Sequence, residues 1–285
     1  MIKPSINEVK QTIKTAKDSI AGKIEDINVE EIVSMAMKLP GAHIDRTVYL
    51  NKQLRKYYPE ITVANAINTS PATAGIPLTG IETLAKDAIK YETNKVTAIS
   101  TVAGLPGGLA IVGTIPADTA QYFVFMIRAA QKLAYLYGYP EIEIVDDTLD
   151  DAVMNELLIF LGVMLGVQGA NVALKALTTI IAQNLPKKLA QKALTKGAIY
   201  PIVKSIAKAI GVKMTKEIFA KGVGKAVPVI GGVVSGGLTF ATFKPCCYRL
   251  QKELGKNFIS DSDNGDFSPI TPPINQQPSP DHTSD

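Results

Sequence analysis

Leu157 to Leu174 reads LLIFLGVMLGVQGANVAL, 18 residues without a charge. Gly162, Gly166 and Ala170 recur in it every four residues, which lines one helical face with small side chains. Apolar and polar residues do not alternate with period two for long here or elsewhere in the chain, so the elements are helices rather than strands. A helix that is apolar all round belongs at the centre of a protein or in lipid. The fold class that follows is all-α: a multi-helix bundle with Gly-rich hydrophobic central helices.

Outward from that stretch, Thr148-Leu149-Asp150-Asp151 caps the helix, which is expected to continue to about Gln183. Upstream, Ser5 and Glu8 form a capping box before an amphipathic helix over 5–25. Further helices are expected over about 29–38, stopping at Pro40-Gly41, and over about 43–57, with Arg46, Lys52, Arg55 and Lys56 on a polar face. Short helices and turns fill 60–79, and a longer helix runs from Gly80 to about Val102. Gly104-Leu105-Pro106-Gly107-Gly108 breaks it, and Thr114-Ile115-Pro116 starts the next, which lasts to Gly138. Downstream come a basic helical region over about 187–222, interrupted by Pro201 and Gly211, a hydrophobic stretch over 226–243 and a polar helix over 245–255. The expected organisation is one helical domain over 1–255, with 1–38 as N-terminal amphipathic helices and 39–255 as the main body. Residues 256–285 are rich in Ser, Pro and Asp, cannot bury enough apolar surface to offset their ordering entropy, and are expected to be a disordered tail.

The formal net charge is +4, but from Lys187 to Lys225 ten Lys face the single acid Glu217, so that segment holds +9 and the remainder −5. Lys188, Lys192 and Lys196 recur every four residues, as do Lys204 with Lys208 and Lys221 with Lys225. Leu189, Leu194, Ile199, Ile202, Val203, Ile206 and Ile210 lie between them, which makes a basic amphipathic pattern of the kind that lies on an anionic bilayer. An ordinary solvated face is the plainer account of the same lysines. Nucleic acid is not expected, because the segment has no Arg and few stacking rings.

Two further stretches lack charge, Val96 to Ala117 with 22 residues and Ala226 to Phe243 with 18. A spanning helix needs about 20 mainly apolar residues, so all three stretches are marginal by length, and Gly, Pro, Thr and Asn dilute them. Gly162, Gly166, Gly232 and Gly236 stand in rows of small residues that let helix backbones approach closely, as helices do in lipid. Wholly buried core helices of a soluble protein account for the same stretches.

Candidate chemistry is thin. Cys246 and Cys247 are adjacent with no third cysteine, so there is no disulfide framework, and with His43 and His282 as the sole histidines a His/Cys zinc site is excluded. Cys246 and Cys247 are expected to pack at a helix start after Pro245. No nucleophile elbow, P-loop or dinucleotide fingerprint occurs, and neither metal nor cofactor is expected. Asp118, Gln121, Arg128 and Lys132 fall within about 80° of one another on a helix. That polar stripe either caps its helix through Asp118 or faces a cavity or headgroup, since charges in apolar surroundings are usually functional. The N-terminus has no unbroken apolar core of a signal peptide, which leads to an expected location in the cytoplasm, peripheral to or partly inserted in the membrane.

Several blocks carry a resemblance. They are His43-Ile44-Asp45-Arg46 with Leu54-Arg55-Lys56-Tyr57-Tyr58, Asn68 to Ile76, Gly104 to Gly108 followed by Gly113 to Phe123, Arg128 to Gly138, and the Gly-rich 231–238 leading into Cys246 and Leu250. Over about residues 35–255 the chain resembles the EcsC family, named for a protein encoded beside an ABC transporter. The resemblance implies a membrane-linked helical protein and brings no established catalytic residues.

The expected function is a non-enzymatic accessory or lipid-interacting protein whose partners are an anionic membrane, a membrane transporter, or a second copy through its Gly-rich helices. A pore-forming or membrane-perturbing effector is the first alternative. A lipid-acting hydrolase using Asp118, with Arg128 as phosphate anchor, is the second.

Overall fold

Between Asn28 and Lys256 apolar residues recur at helical spacing almost without interruption, and the chain folds accordingly into helices. The computed structural model describes residues 28–103, 115–143, 149–183, 187–225 and 231–256; for 99–103, 115–121, 187, 213–225 and 231–240 it describes the backbone path alone. Among the described residues there are helices and no strand. They are α1 (Val29–Lys38), α2 (Arg46–Leu54), α3 (Glu60–Asn68), α4 (Leu78–Ala103), α5 (Ile115–Leu136), α6 (Asp151–Met164), α7 (Ala170–Ala182), α8 (Lys187–Lys196), α9 (Tyr200–Lys225) and α10 (Gly231–Lys256). The expected helix over 5–25, the Gly104–Gly108 break and the expected tail after Lys256 lie outside the described residues.

α5 and α6 are the pair on which the rest assembles. From Phe123 to Tyr137 every side chain of α5 is buried except Arg128, which is half-buried. Leu157 through Met164 of α6 are likewise buried on every side. α1, α2, α4 and α10 pack on α5, while α1, α7, α8, α9 and α10 pack on α6. The longest helix contact joins α4 to α10: Ile81, Leu84, Ala85, Ile89 and Val96 lie along one side of α4, and Phe243, Cys247, Leu250 and Leu254 along one side of α10. Each of these larger side chains contributes roughly 1.5–3 kcal/mol when fully buried.

Three boundaries differ from the sequence expectation, each for a local reason. The apolar run after Asp150 is two helices rather than one, because Gly166 (φ +63°) and Gly169 (φ +84°) adopt left-handed backbone, which costs glycine little. Val167 N–H closes that turn on Gly162 O at 2.8 Å. Gly166 therefore ends a helix instead of lining a helix crossing. In the basic region the break falls at Gly197 rather than Gly211, and Pro201 sits in the first turn of α9, where its missing N–H costs nothing. Finally, Pro245 lies inside α10, where it removes one i→i−4 bond, so Cys246 and Cys247 are mid-helix core residues rather than a helix start.

The three charge-free stretches are thereby distributed among shorter pieces. Leu157–Leu174 folds back on itself as the α6–α7 hairpin, and Val96–Ala117 divides between the end of α4 and the start of α5. The last part of Ala226–Phe243 enters α10; Gly232 and Gly236 lie in its first turns, of which the backbone alone is described. Among the described residues no helix is long and apolar enough to cross a membrane.

Gly162 does mark a close crossing. A Cβ there would stand 2.5 Å from Ile206 Cγ2 and 3.1 Å from Ala170 Cβ, so α6 and α9 meet at a separation that excludes a methyl group. Gly162→Ala is expected to cost about 1–3 kcal/mol through overpacking, which a helix-propensity gain of about 1 kcal/mol reduces to a net loss of about 0–2 kcal/mol. Urea unfolding measures this, and a raised midpoint refutes the close crossing.

Candidate functional site

Three charged side chains meet where α4 and α5 pack. Glu92 occupies the buried face of α4, between Ile89 and Val96, and its side chain is 0% exposed. Lys132 Nζ donates to Glu92 Oε1 at 2.5 Å. Arg128 Nε and Nη2 donate to Glu92 Oε2 and Oε1 at 3.3 and 3.2 Å, and Arg128 Nη1 donates to the carbonyl of Gly41. The Lys132 ammonium also lies over the rings of Tyr91 and Tyr49, 4.8 and 5.6 Å from their centroids. Burial holds this ammonium below the usual lysine range, although Glu92 pulls the other way. Desolvation, with Glu92 and Asp87 adding repulsion, raises the neighbouring Tyr49 phenol.

This cluster absorbs two of the four residues of the polar stripe. Arg128 and Lys132 are 12% and 10% exposed and face a carboxylate from another helix. Asp118 and Gln121 belong to the first turns of α5, and their side chains lie outside the described residues. Ten residues separate Asp118 from Arg128, about 15 Å along an α-helix. The structure thus does not bring them together, and Arg128 is committed to Glu92 and Gly41 rather than held out as a phosphate anchor.

The sequence reading missed Glu92, Gln131 and Arg46. Gln131 Nε2 donates to Ala42 O at 2.8 Å, and its Oε1 accepts from Ile44 N at 2.9 Å, tying the loop before α2 to the core helix. Arg46, expected on a polar face, is buried: its guanidinium donates to the carbonyls of Ile67 (2.6 Å), Tyr139 (3.1 Å), Thr69 (3.1 Å) and Ala66 (3.4 Å). Three of those carbonyls are the C-terminal end of α3, where the helix dipole favours a cation. Burial nonetheless lowers the Arg46 pKa. The available signal was position: Glu92 lies three residues after Ile89 and four before Val96, on an otherwise apolar face, and a buried carboxylate requires a cation.

A second buried acid has no such partner. Glu156 of α6 is half-buried as a residue, yet its Oε1 is fully enclosed without a hydrogen bond among the described residues. Burial, reinforced by Asp150, pushes this carboxyl up to about 8. Among the described residues no group of His, Cys, Asp or Glu is placed to hold a metal ion.

The lysines form the other candidate. Lys188, Lys192, Lys196, Lys204 and Lys208 are all exposed. Glu30 of α1 reaches Lys204 at 3.5 Å, and Lys204 also lies over the Tyr200 ring. Lys221 and Lys225 belong to α9, but their side chains lie outside the described residues. The apolar residues between these lysines point inward: Leu194, Ile199, Val203, Ile206 and Ile210 are buried and Ile202 half-buried, leaving Leu189 exposed. α8 is anchored at the start of α6 by Asn155 Nδ2 to Leu194 O (3.1 Å) and Gln191 Nε2 to Asp150 Oδ2 (3.0 Å). No acid occurs between Glu156 and Glu217, a span that carries nine lysines and all of α7 and α8.

No family model matches the chain, nor does any curated protein or solved structure.

Two substitutions test the buried charges. Glu92→Gln strands Arg128 and Lys132 without a counter-charge and is expected to cost about 3–5 kcal/mol, read from chemical unfolding; a loss under 1 kcal/mol contradicts the arrangement. Glu156 works in the opposite sense. Its folded-state pKa is raised from 4.5 to about 8, so the folded chain keeps a proton that the unfolded chain releases. The stability this supplies is fully present below about 4.5 and is lost as pH rises through about 8. Glu156→Gln is expected to flatten the decline of melting temperature across that window, and identical slopes for both proteins would remove the assignment.

Proposed function

We propose that this protein associates peripherally with anionic lipid surfaces through the exposed lysines of α8 and α9. The observation that carries the reading is the orientation of the basic segment: among its described residues Leu194, Ile199, Val203, Ile206 and Ile210 are consumed by the core, with Leu189 and Val212 left exposed, while Lys188, Lys192, Lys196, Lys204 and Lys208 face outward and Glu30 reaches Lys204. A helix already committed on its apolar side cannot submerge that side in acyl chains without unfolding its docking on α6. It can still present charge. Each Lys near an anionic leaflet is worth on the order of 1 kcal/mol, within a Debye length of about 8–10 Å. The EcsC-like blocks support the same direction, since that resemblance implies a membrane-linked helical protein and makes a transporter a candidate neighbour. The buried Glu92 cluster has an architectural role in this reading.

Co-sedimentation with vesicles tests it. The full chain is expected to bind vesicles containing phosphatidylglycerol, to bind pure phosphatidylcholine far more weakly, and to lose most of its binding as salt approaches 1 M, where the Debye length is about 3 Å. Replacing Lys188, Lys192 and Lys196 together by Gln is expected to weaken binding roughly 100-fold, with unchanged melting because all three are exposed. Equal binding to both vesicle types, or indifference to the triple replacement, overturns the proposal.

A further inference from the structure

Large exposed hydrophobic side chains are normal when scattered singly, but those of this protein are not evenly spread. Among the exposed large hydrophobics of the described residues, Ile61 and Val48 are 69% and 63% exposed, Val172 of α7 is 62% and Tyr57 is 51%; Val172 stands apart from the other three in sequence. Those three fall within the helical hairpin formed by α2 and α3. Lys52, Arg55 and Lys56, also exposed, accompany them.

The pairing of Arg55 with Glu60 links one side of α2 to the start of α3. Val48, Lys52 and Arg55 are spaced by four and then three residues, so they share one side of α2 and its C-cap. Arg55 Nη2 pairs with Glu60 Oε1 at 2.7 Å, which fixes the first turn of α3, and with it Ile61, beside the end of α2. Tyr57 N–H bonds back to Leu54 O at 2.9 Å and so belongs to the same tip. Glu60 and Asp45, whose Oδ1 accepts from Val48 N at 2.7 Å, offset two of the three cations, leaving the surface at +1.

We infer that the α2–α3 hairpin is a second membrane-contact surface, with Ile61 and Val48 entering the acyl boundary of an anionic bilayer, Tyr57 at headgroup level, and Lys52 and Lys56 on lipid phosphates. Aliphatic side chains ringed by a tyrosine and lysines match the layered chemistry of a bilayer interface. The positive tip selects an anionic surface, and Arg46 underneath anchors the hairpin to the core, so the tip is rigid. The inference rests on the membrane reading above but not on the α8 lysines. It adds an apolar component that salt does not screen.

The chain contains no tryptophan, so an Ile61→Trp variant carries a single fluorophore at the tip. With phosphatidylglycerol vesicles containing acyl-brominated phosphatidylcholine, its emission is expected to shift to the blue and to be quenched. Ile61→Ser is expected to weaken binding roughly 10-fold and to abolish the residue of binding that survives high salt, with melting unchanged. An unquenched fluorophore on a protein that still sediments with the vesicles overturns this inference and leaves the lysine reading standing. Quenching that persists when the α8 lysines are replaced, with undiminished binding, sinks the lysine reading and supports this one. A blue shift that grows with protein concentration in the absence of vesicles means that a second copy covers the tip, which overturns the inference. Absence of any vesicle binding overturns both.

Discussion

Glu92 is wholly enclosed between α4 and α5, and meeting its carboxyl group there organises the centre of this protein. A carboxylate removed from water persists only where cations meet it with good geometry. Arg128 and Lys132 do so from successive turns of α5, while Arg128 also holds Gly41. One acid thereby sets the rotation of α4 against α5 and the path of the loop leading into α2. Gln131, between the two cations in sequence, adds hydrogen bonds to the same loop. A helix buried on every side has no polar face to orient it, so these polar contacts specify how it is turned.

Arg46 and Arg249 apply a related solution at helix ends. Arg46 gathers the last carbonyls of α3, and Arg249 of α10 donates to Met164 O at the end of α6. In both cases a cation meets carbonyls that helix geometry leaves without partners. The charges that enter the core are thus held by the backbone or by Glu92, and Glu156 is the exception whose acid stays without a partner among the described residues. That separation, compensated cations within and lysines without, directs attention for function to the outer surface.

Burial of the apolar side of α8 and α9 changes what the basic segment can do. As an isolated peptide the same sequence is a surface-seeking amphiphile, which would float with its aliphatic side in lipid. Docked on α6 and α7, with Ile206 pressed against Gly162, it keeps its lysines outward and little of its aliphatic side, Leu189 and Val212 among the described residues. Long-range attraction and salt sensitivity follow from charge.

The amino-acid sequence alone settled the helical class, the bounds of α1, the Asp150 cap and the apolar character of α6 from Leu157 onward, because each depends on periodicity or on capping within a few residues. Lysine spacing likewise revealed one charged side of α8. Tertiary structure alone decided the fate of those features. The left-handed glycines that split Leu157–Leu174 were visible as glycines, but helix-packing and turn-forming glycines look alike until the backbone closes on itself. Arg128 and Lys132 read as part of a polar stripe that either caps its helix through Asp118 or faces a cavity or headgroup, since their counter-charge lies 36 and 40 residues away. Contacts at that separation leave no local pattern. Which side of an amphiphile is hidden by its own protein, and which by a membrane, is set by packing between distant segments.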